Sequence, residues 1–97
     1  MNNQNNKFEI IIGYAKSMLD FSYEELKRKY ISYPICLMVY VENRKLEKSI
    51  EIRFDNHETT ISCAFDQEDR CVITYLFFDS QTDENNFIEY LKTTYVK

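Results

Sequence analysis

The 97-residue chain contains one Gly, one Pro and no Trp. A single glycine excludes a glycine-rich phosphate loop, which needs several positions where the backbone approaches a ligand without a Cβ. With so little Gly and Pro there is also no flexible linker, and the length fits one domain, residues 1–97. There is one histidine, His57. A metal centre of the usual kind asks for several correctly spaced His, Cys or carboxylate ligands, so no metal and no cofactor is expected. No run approaches the ~18 consecutive apolar residues of a membrane helix. No basic segment followed by an apolar one marks a secretory leader, so none is expected.

Cysteine is scarce in a particular way. Cys36, Cys63 and Cys71 are odd in number and lie in apolar runs. That pattern fits reduced, buried thiols in a cytoplasmic setting rather than a disulfide framework. Cys63 and Cys71 are placed to face each other across a hairpin, yet a structural disulfide is not expected. No second histidine is present to activate a thiolate. His57 stands in a turn between Asp55 and Glu58. Flanking carboxylates suit a general base, but the simpler reading is a solvated turn residue. The chain is therefore expected not to be an enzyme.

What the chain does have is apolar bulk, 44% of residues with seven Phe and eight Tyr. This is enough for a modest core and argues against global disorder. Residues 35–78 read as four strands joined by short polar turns. The first run, Ile35 to Val41, has no charged residue, so both of its faces are expected to be covered, by a helix or by a partner. In the second, Ile50, Ile52 and Phe54 alternate with Glu51, Arg53 and Asp55, the period of a half-buried strand. In the third, Thr59, Ile61, Cys63 and Phe65 share a face, and Thr60, Ser62, Ala64 and Asp66 take the other. The fourth runs from Cys71 to Phe78. Turns this short force antiparallel neighbours, because a parallel crossover needs a dozen residues or more. The expected sheet is a meander in the order 1-2-3-4. Its centre is polar on one side, which places the helices on the other. If Cys36, Met38 and Tyr40, or Val72, Leu76 and Phe78, stood exposed on the end strands, they would invite association.

Helices are expected on both flanks. Residues 1–6 are polar and Asn-rich and are expected to be disordered. Residues 7–19 follow a helical stripe of Phe8, Ile11, Ile12, Ala15 and Leu19. Ser22 and Glu25 match a capping box that opens a second, short helix over residues 23–31. Pro34 imposes extended backbone ahead of the first strand. After the sheet, residues 79–82 form a cap region, and a last helix buries Phe87, Ile88, Leu91 and Tyr95. Helices segregated from a strand run define an α+β fold.

Charge is uneven. Residues 1–54 carry a net +2 and residues 55–97 a net −6. An acidic surface repels nucleic-acid phosphates and attracts basic proteins; it also serves plain solubility. In a meander the second turn and the exit of the fourth strand meet at one end. That gathers Asp55, His57, Glu58, Asp79, Asp83 and Glu84. The first and third turns bring Asp66, Glu68 and Asp69 toward Arg44, Lys45 and Lys48 at the other. The first cluster is expected to be the more nearly single-signed, and so the better docking surface. Tyr40 and Tyr75 are candidate aromatic anchors. Lys27, Arg28 and Lys29 read as a solvated helix face rather than a phosphate site.

The opening helix, the Leu19-Asp20-Phe21-Ser22-Tyr23-Glu24-Glu25-Leu26 junction and the acidic half after Asp55 together resemble, in format, the immunity proteins of bacterial polymorphic-toxin and contact-dependent growth inhibition systems. The resemblance spans the whole chain but carries no diagnostic motif, so no individual residue role transfers with it. It implies a cytoplasmic binding protein that neutralises a basic toxin, plausibly a nuclease, by occluding its active site. Such a protein would be a monomer or weak dimer, binding neither nucleic acid nor membrane. The alternative is a small acidic secretion-type chaperone or adaptor that acts as a dimer through its apolar end strands. Those proteins usually place a helix among their strands, and none is expected between residues 35 and 78.

Overall fold

A computed structural model describes residues 3–95, with side chains from residue 6 onward. The order is α1 (Asn3–Met18), α2 (Tyr23–Lys29), β1 (Ile35–Glu42), β2 (Lys45–Phe54), a 3-10 turn (Asp55–His57), β3 (Thr59–Phe65), β4 (Cys71–Phe78) and α3 (Gln81–Thr94). The strands form one open antiparallel sheet in the order β1-β2-β3-β4. The α+β class and the meander are as the periodicity required. Among the described residues no helix is long and apolar enough to cross a membrane.

The core lies between one sheet face and the helices. Ile50, Ile52, Phe54, Ile61, Cys63 and Phe65 are buried there, together with Ala15, Met18, Tyr23, Leu26 and Tyr30 from the helical side. β3 shows strict alternation of buried and half-buried residues, as the two-residue period of a strand demands. At the other end of α1, Phe8 packs on Phe78, Phe87 and Tyr90 with ring centroids 5.2–5.9 Å apart, the first two in the edge-on geometry that aromatic quadrupoles favour. The Ser22 capping box forms. Ser22 Oγ accepts from the Glu25 N–H at 3.1 Å, and the Ser22 N–H donates to Glu25 Oε1 at 3.0 Å. Its backbone hydrogen bond to Ser22 holds the Glu25 carboxyl below its usual range.

Several boundaries differ from expectation for identifiable reasons. The first helix begins at Asn3 rather than residue 7, so residues 3–6 are helical; residues 1 and 2 lie outside the described residues. Leu19 is exposed, and Met18 takes the buried place. The helix stops at Met18 because Asp20 turns left-handed, φ 73°, and residues 20–21 dock on the start of β4. The Asp20 N–H donates to the Cys71 carbonyl and the Cys71 N–H to the Phe21 carbonyl, both at 2.8 Å. In α3, Tyr90 is buried while Ile88 and Tyr95 are exposed. The second helix ends at Lys29, leaving Ile31 in solvent.

The largest correction concerns β1. Seven of its eight residues are exposed, so of the two expected covers, a helix or a partner, the helix is excluded. Asn43 and Arg44 both take positive φ, 51° and 65°, the signature of a two-residue hairpin turn whose twist suits paired strands. The pairing therefore runs from Ile35↔Ile52 to Glu42↔Lys45, and the strand leads away from the helices. The fourth strand also differs. Phe65 pairs with Cys71 but Ala64 pairs with Ile73, so Val72 is bulged and exposed. The bulge resets parity beyond it. Leu76 and Phe78 then face the helices half-buried, while Ile73, Tyr75 and Phe77 stand exposed on the other face. Cys63 and Cys71 are not directly opposed. Cys63 pairs with Thr74, and all three cysteines are free.

Candidate functional site

One end of the sheet gathers the acidic candidates. β2 ends at Phe54, and the 3-10 turn places Asp55, Asn56 and His57 beyond it. Glu58 closes that turn in the left-handed region, φ 51°, which Asp and Asn tolerate better than most residues but which a short turn here imposes. The Thr59 hydroxyl donates to the His57 carbonyl at 2.7 Å, and the Asp79 N–H donates to the Glu58 carbonyl at 3.1 Å. The exit of β4 is thereby pinned against the turn, and Asp55, Glu58 and Asp79 share one rim.

Arg53 organises that rim. Its guanidinium reaches Asp79 through two bonds of 2.6 Å and Asp55 through one of 2.8 Å. A planar fork that engages a carboxylate through two donors fixes orientation as well as charge. Asp79 is held below the usual carboxylate range by that hydrogen-bonded guanidinium, and Lys7 adds to the effect. Arg53 is correspondingly pushed up, chiefly by Asp79 and then by Asp55. Lys7 pairs with Asp83 at 2.8 Å, both side chains being largely covered. Glu84 is exposed in the first turn of α3 beside the Ser80 cap, whose Oγ accepts from the Asp83 N–H at 3.1 Å.

The expected cluster is therefore brought together, but it is less pure in sign than the sequence implied. Arg53 and Lys7 are inserted among Asp55, Glu58, Asp79, Asp83 and Glu84. Alternation placed Arg53 on the solvent face, yet its reach to a carboxylate on a different strand depends on register, which periodicity does not fix. What remains most open to a partner is Asp55, Glu58 and Glu84, all exposed.

His57 is half-buried rather than fully solvated, with its ring 6.3 Å from that of Tyr14. It lines an open cleft of about 350 Å³ with Tyr14, Tyr33, Phe54, Arg53 and Asp55. Tyr14 and Tyr33 were not singled out from the sequence as a pair. The hydrogen bond between their side chains raises the Tyr14 pKa, and both rings stack near Phe54, at 4.6 and 5.2 Å. The Arg53 guanidinium that borders the cleft is already bound by Asp55 and Asp79.

At the opposite end Asp66 is occupied locally. Its Oδ1 accepts from the N–H groups of Glu68 and Arg70 at 2.9 and 3.0 Å, the self-bonding that suits Asp to turns. Asp69 lies 3.6 Å from Lys48, and Glu68 is exposed. This end has mixed charge, as expected. Tyr40 and Tyr75 are both about half exposed, at 45% and 49%. Among the described residues no group of three or more His, Cys, Asp or Glu is placed to hold a metal ion.

The fold and rim define a small α+β protein with an exposed acidic end and a bare sheet face. No family model, no curated protein and no solved structure matches the chain.

Proposed function

We propose that the protein is a cytoplasmic inhibitor of the immunity type, which binds a basic toxin domain, plausibly a nuclease, and occludes its active site. The observation that carries this reading is the rim Asp55–Arg53–Asp79, flanked by Glu58 and Glu84. Its carboxylates are held in place by the Arg53 fork before any partner arrives. Preorganised acids lose little side-chain entropy on docking and steer a cationic partner toward one orientation. Tyr75, near the same sheet face, adds an amphipathic anchor of the kind found at binding hot spots.

The test begins with a gene neighbour encoding a large protein with a toxic C-terminal domain. That domain should be basic, should kill when expressed alone, and should lose its activity in the presence of this chain. Reversal at Asp55→Lys, Glu58→Lys and Glu84→Lys is expected to weaken the complex by at least tenfold, mainly through the association rate, and to reduce its salt dependence. Unchanged affinity in the triple variant would move the docking surface elsewhere. Turnover of any substrate by the purified chain would refute the inhibitor reading itself.

The second reading, a dimeric chaperone or adaptor, is favoured by one observation: the apolar residues of β1 and β4 stand in solvent. A dimer alone does not decide between the two. Release of a bound secreted client would.

A further inference from the structure

The open edge of β1 is unlike the edges that natural sheets present to water. Exposed edges are commonly blunted by charge, proline or a bulge. β4 has its bulge at Val72. β1 has none of these between Ile35 and Val41, seven uncharged residues in unbroken register with β2. Both faces are apolar and uncovered. Leu37, Val39 and Val41 point to the helix side beyond the reach of the helices, and Cys36, Met38 and Tyr40 point to the other.

The backbone polarity of that edge follows from one bond. The Arg53 N–H donates to the Pro34 carbonyl at 2.9 Å, so 34 and 53 form a hydrogen-bonded pair in the same register as the strands. Such pairs alternate along an antiparallel ladder. The N–H and C=O groups of Cys36, Met38, Tyr40 and Glu42 therefore point to β2. Those of Ile35, Leu37, Val39 and Val41 point out, unpaired within the sheet.

We propose that β1 pairs antiparallel with β1 of a second copy, about a two-fold axis through Met38, to make a continuous eight-stranded sheet. This register joins Leu37 to Val39 and Ile35 to Val41 of the other copy, and it leaves no open group of the strand without a partner. Residues of like character meet on each face. Met38 opposes its own copy, Cys36 opposes Tyr40, and Leu37 packs beside Val39. Glu42 falls opposite Pro34, so the two-fold brings no like charges together. Leu37, Met38, Val39, Tyr40, Val41 and Leu46 together expose on the order of 600 Å² per copy, taking ~200 Å² for a large side chain. A standard interface buries ~800 Å² per partner, so this supply suits a reversible dimer rather than an obligate one. The inference stands apart from the toxin-binding reading, since the acidic rim lies at the turn between β2 and β3, the exit of β4 and the start of α3.

Light scattering coupled to size-exclusion chromatography, from about 1 to about 500 μM, tests it, because mass action must move a reversible dimer over that range. The mass is expected to rise from 11.8 kDa toward twice that value. Val39→Pro removes an N–H that faces outward, and so spares the β1–β2 ladder; it is expected to stay at the monomer mass throughout, with unchanged circular dichroism. Met38→Cys in a Cys36→Ser background is expected to cross-link under a mild added disulfide oxidant. Opposed non-hydrogen-bonded residues sit about 4.5 Å apart at Cα, within disulfide range. Phe77→Cys in the same background is expected not to cross-link. A single monomer mass at every concentration would overturn the proposal. So would a dimer that Val39→Pro leaves intact or that cross-links through Phe77→Cys instead.

Discussion

The covered and the bare parts of the sheet are equally apolar but differently placed. On the helix side, Ile50, Ile52, Ile61 and Cys63 are wholly buried, and side chains of α1 and α2 pack over them. On β1 and the opposite face, residues just as apolar stand in water: Val39 at 56%, Val41 at 71%, Phe77 at 55%. Hydrophobic stabilisation scales with area removed from water, so the two sets contribute unequally to folding despite similar composition. The covered side holds the molecule together. The bare part and the acidic end are what the fold leaves exposed.

The sharpest way to break that contrast is to truncate one residue that the helices cover and one that they leave bare. Ile52→Ala is expected to lose about 2–5 kcal/mol in denaturant unfolding, the transfer and cavity cost of a closed site. Val41→Ala, measured in dilute protein, should stay within about 0.5 kcal/mol. A comparable loss at Val41 would mean that the β1 hairpin is covered after all. Within the covered side, Ser22→Ala removes the capping box of α2 and should cost about 1 kcal/mol. A smaller loss would show that α2 is fixed by Leu26 and Tyr23 packing alone.

Effects of pH should be smaller still, and they separate by sign. Asp79 and Glu25 are held below their usual range by Arg53 and by the Ser22 backbone. Their contribution is therefore full above the unfolded carboxyl pKa, about 4, and is lost as pH falls below it. Tyr14 and Tyr30 are shifted the other way, Tyr14 mainly by its bond to Tyr33 and Tyr30 mainly by burial. Their contribution is full below about pH 10 and is lost as pH rises past it. Asp79→Asn should flatten the acid limb of a melting-temperature profile and leave the alkaline limb alone. The thiols sharpen the contrast without touching stability. Cys36 should react readily with a maleimide in the folded protein. Cys63, raised by its bond to Cys71 and by burial, should react only on unfolding.

Much of this architecture was readable in the residues. The two-residue alternation of β2 and β3, the Ser22–Glu25 box and the short turns determine strand order and helix side through local rules. The misses share a cause. Alternation does not announce a bulge, so Val72 shifted the face of everything after it in β4. An uncharged run looks the same whether a helix, a partner or water covers it, so the run alone does not say what meets β1. The rim was half legible. Topology brings Asp55, Glu58 and Asp79 together, but the Arg53 fork between two strands arises from register and side-chain reach, which leave no periodic trace.

Residue-by-residue amide hydrogen exchange in β1 tests most directly whether the bare edge is an association surface. In dilute protein the amides of Cys36, Met38 and Tyr40 should be protected by β2, while those of Leu37, Val39 and Val41 exchange quickly. In concentrated protein the second set should slow down to join the first. If Leu37, Val39 and Val41 are already protected when dilute, or remain fast at every concentration, the edge is not the surface described here.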